Sequence, residues 1–333
     1  MNAYQRYFNV LRNQPVDFLP RIPILMQYAA EYIGSDYAAF ASDHRVLVHA
    51  NAQCAKDFGF DQLSCISDPY RETHGFGGAV TYVTNGPPHC TVPLQDSKDL
   101  SILPTPHPMS SERMADRVHA AEAYKLQFQN EYSILGWIEG PAAEAADLRG
   151  VSTFMIDLID DPPFAADLMD RCVAVGIAFA HAQIHAGADT IGIGDAIASQ
   201  VDPQTYEQLI QPRQKQLVAA VHHAGARVKL HICGNTTHLL PGIADLGVDI
   251  LDVDHMVELP AVRDAVGPRV VISGNMDPVT IIQSGTPDTI RRAVAEAYQA
   301  VGNPYMVNAG CEIPSGTPPQ NLSALCEPLP YVA

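Results

Sequence analysis

The second half of this chain repeats one pattern five times. A segment with helical periodicity ends at a glycine, a short apolar run follows, and the run stops in a polar or glycine-rich turn: GADTIGIGD, GARVKLHICG, GVDILDVDH, GPRVVISGNMD and GNPYMVNAGCE. The opening glycines are Gly187, Gly225, Gly247, Gly267 and Gly302. Glycine just past a helix end accepts the left-handed conformation that turns the chain out of the helix. The segments between carry helix-start signals, Asp161-Pro162, Asp202-Pro203 and Thr286-Pro287, each a capping side chain followed by a proline that has no amide hydrogen to lose. After Asp161 the residues Phe164, Leu168, Cys172, Val175 and Phe179 fall on one helical face. Strands that alternate with crossover helices pair in parallel.

Upstream, RIPILM, LSCIS, AVTYV and ILGWIEG read as strands, and SERMADRVHAAEAYKLQFQN reads as a helix from Ser111. Six prolines between Pro87 and Pro108, without clear period, suggest a long ordered loop. Nine candidate strands in all point to an α/β fold, an eight-stranded (β/α)8 TIM barrel with an N-terminal extension, with a doubly wound open sheet as the alternative. The 333 residues then form a single barrel domain over 1–333, in which 1–80 supply the extension and the first strands.

The formal charge of −17, from 37 acidic and 20 basic residues, repels phosphate backbones and anionic lipid surfaces, which argues against nucleic acid as a partner. The opening MNAYQRYFNVLRNQPVDF has no apolar core of a signal peptide. The longest apolar stretch is interrupted by His181, His185 and Asp189, so no membrane span is expected. Seven cysteines without an export signal suit reduced thiols, and a cytoplasmic location is expected. Oligomeric state is not legible.

In KLHICGN, His231 and Cys233 stand two apart at the end of an apolar run. On a strand, alternate side chains share a face, so the pair converges as metal ligands must. Strand carboxyl ends are where barrel enzymes gather their active sites. Cys311, in VNAGCE, is the one other cysteine at an equivalent position. One imidazole and two sulfurs suit zinc, and three protein ligands leave the fourth position open for substrate. The competing reading is a core histidine beside a buried thiol. His181 and His185 lie four apart but have no third ligand, and no GxGxxG or GxxxxGK motif supports nucleotide chemistry.

LHICGNTTHLLPGIADLGVDILDVDH, VVISGNMDPVTII and VNAGCEIPSGTPPQNL resemble the uroporphyrinogen decarboxylase superfamily. The similarity is strongest from about Trp137 onward, and is closest to its branch of zinc- and corrinoid-dependent methyltransferases, typified by the methylcobamide:coenzyme M methyltransferases. That resemblance implies zinc held by His231, Cys233 and Cys311. True decarboxylases of the superfamily carry an arginine-rich segment that grips substrate carboxylates, and RIPILMQYAAEYIG has no equivalent. Three functions follow as expectations. A methylcobamide:thiol methyltransferase would move a methyl group between a corrinoid and a thiol activated by zinc. A first methyltransferase of an O-demethylation pathway would instead pass the methyl of a methoxylated small molecule to cob(I). A non-catalytic barrel would only bind a corrinoid or small ligand. The corrinoid is either free cobalamin or carried by a partner protein.

Asp195 and Glu139, carboxylates at expected strand ends, are candidate catalytic residues that position substrate or move a proton; capping the helix that follows is the alternative role for each. Asn275, in SGNMD, and Asp254, which shares a strand face with Asp252, are candidate binding residues.

Overall fold

The computed structural model describes residues 1–332. Its strands are β1 (Gln62–Ser64), β2 (Val80–Val83), β3 (Gly86–Cys90), β4 (Ser133–Glu139), β5 (Thr190–Gly194), β6 (Arg227–Ile232), β7 (Ile250–Val253), β8 (Val271–Gly274) and β9 (Tyr305–Met306). Seven form one parallel sheet in the order β1-β4-β5-β6-β7-β8-β9. Each neighbour follows its predecessor through a crossover, so the sheet curls as a barrel does.

The segment read as the strand RIPILM closes the curl. Ile22 N donates to Val307 O at 2.9 Å and Val307 N to Pro20 O at 2.8 Å on one side, while Asp61 N donates to Arg21 O at 2.7 Å on the other. This segment bridges in parallel to Val307 rather than running as a full ladder, and with it the barrel has eight staves. The TIM-barrel expectation is therefore met, and the ninth candidate strand has another place. AVTYV pairs antiparallel with β3 in a separate hairpin. β3 is GPPHC, inside the stretch expected to be loop. Its two prolines hid it, because proline cannot donate to a ladder and is tolerated only where a strand has a free side.

All five opening glycines have positive φ, from 65° at Gly302 to 134° at Gly187, so each does make the turn from helix to strand. The start signals also act: Asp161 caps Phe164 N, Asp202 caps Gln204 N and Thr205 N, and Thr286 forms a capping box with Thr289. The helix Pro162–Ala186 buries Leu168, Cys172, Val175 and Phe179 against the barrel, each large apolar side chain contributing about 1.5–3 kcal/mol. At the amino end, the helix Ala3–Leu11 plugs the barrel with Tyr7, Phe8 and Val10 packed on Ile22, Ile250, Val271 and Met306. Asp61, fully buried, ties that plug down by receiving both Arg6 and Arg21.

All seven cysteines are free thiols. Among the described residues no helix is long and apolar enough to cross a membrane.

Candidate metal centre

β6 delivers His231 at its carboxyl end, and the chain turns immediately after Cys233. Gly234 makes that turn at φ +90°, with its N–H on Asp254 Oδ2 at 2.9 Å. A side chain here would be strained by that φ and would press on Ser199 Oγ. Asp254 also receives Met256 N at 3.0 Å. It thus holds the turn that carries Cys233 and does not face the cavity below. Cys311 arrives from the far end of the barrel, two residues after Ala309 bridges to Met276.

The three side chains meet. His231 Nε2 is 3.0 Å from Cys233 Sγ, Cys233 Sγ is 3.9 Å from Cys311 Sγ, and all three donor atoms lie within 4.8 Å of one another. Tetrahedral zinc with bonds of about 2.3 Å to sulfur needs its sulfurs about 3.8 Å apart, so the thiol pair fits as it stands. The histidine would open by about half an ångström to reach ideal zinc geometry.

Behind His231 stands Asp252, its register partner on β7. Asp252 Oδ2 is 3.0 Å from His231 Nδ1, and Oδ1 receives Ser273 Oγ and, at 2.8 Å, Asn308 Nδ2. Lys229 Nζ, fully buried, is 3.5 Å away. Burial works against ionising Asp252, yet Lys229 and His231 outweigh it and hold the carboxyl below its ordinary range. Burial likewise opposes charge on His231, but the Cys233 sulfur and Asp252 hold its pKa well above the usual value. The hydrogen bond from Cys233, helped by His231, lowers that of the Cys311 thiol. One acidic thiol beside a carboxylate-oriented imidazole is a donor set ready to lose protons to a metal.

The three ligands lie at one side of a cavity of about 170 Å³ at the barrel mouth. Ile24, Met26, Ile66, Pro69 and Trp137 form its apolar wall, and Asp68, Glu139, Asp195 and Glu312 also line it. Glu139, ending β4, receives Arg71 Nη2 at 2.5 Å and Trp137 Nε1 at 3.3 Å. Burial pushes its pKa up, Arg71 pulls it down, and neighbouring Glu72 adds to the net rise. Asp195 accepts from Ala143 N at 2.8 Å and Gln214 Nε2 at 2.7 Å. Burial raises its pKa to about 6. Neither carboxylate caps the helix that follows it; Asp195 caps the helix Pro141–Arg149, which follows β4.

Asn275 is placed elsewhere. Its amide donates to Val257 O at 2.6 Å and Asp254 O at 3.2 Å, and it lines a different depression, beside His255 and Glu258. The structure brings Glu139 and Asp195 to the metal ligands but not Asn275, and it sets Asp254 behind the Cys233 turn. Sequence reading missed Asp68, Arg71, Trp137 and Glu312 as residues of this region. Asp68 and Arg71 follow the strand read as LSCIS, so the strand-end rule that selected Glu139 and Asp195 was the available signal. A second trio, Asp43, His44 and Asp116, is already engaged by Arg45 and Arg117.

The sequence profile of the uroporphyrinogen decarboxylase (URO-D) family matches residues 2–329. The chain belongs to the URO-D family. Among its relatives there, methylcobamide:CoM methyltransferase MtbA of Methanosarcina mazei is 27% identical over 332 residues, which cover 97% of this chain and 96% of the relative. Methylcobamide:CoM methyltransferase MtaA of Methanosarcina barkeri is 27% identical over 330 residues, 96% and 95% of the two chains. A solved methyltransferase from Methanosarcina mazei superposes with a TM-score of 0.89 at 23% identity, covering 98% of this chain and 97% of its own. The URO-D barrel is thus the common frame, and His231, Cys233 and Cys311 lie where that frame opens.

Proposed function

We propose that this protein is a corrinoid-dependent methyltransferase that activates a small thiol on a zinc ion held by His231, Cys233 and Cys311. The observation that carries the reading is the convergence of one imidazole and two thiols, from segments remote in the chain, at a cavity in the barrel mouth with a carboxylate behind the imidazole. The methylcobamide:CoM methyltransferase relatives support the same reaction class. Decarboxylation of a porphyrinogen has less support, because a polycarboxylate would find no lysine or arginine lining a cavity of about 170 Å³.

When bound, zinc would supply a Lewis-acidic open position at which a thiol ionises near neutral pH. The chain's own residues do the rest. Asp252 fixes the orientation of His231, and Asp254 fixes the Cys233 turn. The apolar wall with Trp137 excludes water from the sulfur. Glu139, kept in place by Arg71, faces the substrate, while Asp195 is fixed at the cavity by Ala143 N and Gln214. In the transfer, the thiol sulfur bonds to the methyl carbon, the cobalt–carbon bond breaks with its electron pair left on cobalt, and the thiol proton leaves to a cavity carboxylate or water.

Anaerobic visible spectroscopy of zinc-loaded protein tests this, following methylcobalamin with a small thiol as acceptor. The expected result is conversion of methylcobalamin to cob(I)alamin that depends on thiol and is lost in Cys311→Ala. Methylation of cob(I)alamin from a methoxylated aromatic, without any thiol reaction, would replace this reading with the demethylating one. No change with either would remove free cobalamin as the substrate and leave a carrier-borne corrinoid or a non-catalytic binding role.

A further inference from the structure

Any thiol that reaches the metal ligands brings its head group into a cavity whose ionisable lining beyond those ligands consists of carboxyl groups. Asp68, Glu139, Asp195 and Glu312 face it, and among the described residues no lysine or arginine lines it. The nearest cations are spoken for. Arg113 grips Asp68 with two bonds, of 2.7 and 2.6 Å, and donates to Ala41 O. Arg71 has no exposed surface; it holds Glu139 at 2.5 Å and the Asp68 carbonyl. Lys229 is sealed behind His231 beside Asp252. An anionic head group entering here loses its hydration and meets no cation free to receive it. A neutral head group loses little hydration and meets the apolar wall.

We propose that the cavity selects thiols whose head group is neutral and disfavours those that carry a sulfonate or carboxylate, the Arg71–Glu139 pair being the device that withholds a nearby guanidinium. The inference rests on the thiol reading above and names its substrate class. Breaking the pair should make Arg71 available: with Glu139→Gln, Nη2 loses its charged partner and can turn to an anion.

Three two-carbon thiols differ only in head group: 2-aminoethanethiol, 2-mercaptoethanol and 2-mercaptoethanesulfonate. Cobalt(II)-substituted protein reports each through the visible absorption of a cobalt–sulfur bond, giving dissociation constants without turnover. The sulfonate is expected to bind at least about tenfold more weakly than 2-mercaptoethanol. In Glu139→Gln that gap is expected to narrow by about threefold or more, a ratio from which intrinsic thiol acidity cancels. Sulfonate binding as tight as the alcohol in the unaltered protein overturns the inference while leaving the thiol reading intact. A gap untouched by Glu139→Gln overturns the role given to the Arg71–Glu139 pair. No spectral response to any of the three overturns the thiol reading and the inference with it.

Discussion

Asp252 Oδ2 lies 3.0 Å from Nδ1 of His231, and the two residues are direct register partners on adjacent parallel strands. The barrel's hydrogen-bond register therefore orients the metal-facing nitrogen. A carboxylate on the far ring nitrogen fixes the tautomer and raises the basicity of the ligating one. Asp252→Asn is expected to lower zinc affinity by about 10- to 100-fold, measured by competition with a chromophoric chelator. Either change leaves Lys229 without its buried counter-charge, at a cost of about 3–5 kcal/mol, and Asp252→Ala should do more harm because it also removes the acceptor for Ser273 and Asn308. Unchanged zinc affinity in Asp252→Asn would show that the carboxylate serves Lys229 alone.

Cys311 is half-buried and packs on the cavity rather than in the core. Cys311→Ala is expected to reduce bound zinc from stoichiometric to a small fraction, read by elemental analysis. The metal-free protein should lose less than about 1.5 kcal/mol of stability. A metal-free variant that fails to fold, when the metal-free parent folds, would make the site structural.

Much of this fold is written in short-range chemistry. Gly187, Gly225, Gly247, Gly267 and Gly302 mark helix ends because only a residue without Cβ takes those turns easily, and Asp161, Asp202 and Thr286 mark starts because their oxygens satisfy free amides. His231 and Cys233 are legible for the same reason, since strand periodicity alone puts them on one face. What was hidden is what depends on distant pairing. GPPHC becomes β3 only because β2 lies beside it, whereas RIPILM, which closes the barrel, was legible as a strand. Asn275 looked like a site residue by its strand-end position, but its amide is consumed by two backbone carbonyls. Arg71 follows a legible strand end, but its role is set by Glu139, 68 residues away in the chain.

Gly192 pairs in register with Trp137, whose ring forms part of the cavity wall. A Cβ at Gly192 would come within 2.2 Å of Trp137 Cε3. Gly192→Ala must therefore push the indole toward the metal ligands or unseat β5, and overpacking of this kind costs about 1–3 kcal/mol or more. Lower stability together with a changed tryptophan fluorescence spectrum is expected, and Trp137 is the sole tryptophan. A variant with unaltered fluorescence and stability would mean that the wall is not packed as described.

Asp195 is fully buried, and burial raises its pKa from 3.8 to about 6, against the pull of Gln214 and of the amides of Ala143 and Ala142. In the unfolded chain the carboxyl ionises near its ordinary value. Between the two values the unfolded state has released the proton while the folded state still holds it, so rising pH favours unfolding across this window. The resulting penalty reaches about 3 kcal/mol once pH exceeds the folded value, and is constant beyond it. Asp195→Asn carries no such slope. It adds a fixed cost, because an amide nitrogen now faces a donor, and that cost does not vary with pH. The stability of the variant relative to the parent, from denaturant unfolding of the metal-free proteins, is therefore expected to improve by about 2.4 kcal/mol between about pH 4 and pH 7. Contributions of distant carboxylates cancel in the difference. A difference that stays flat across the window would mean that Asp195 is ionised in the folded protein throughout, its charge carried by the amides it caps.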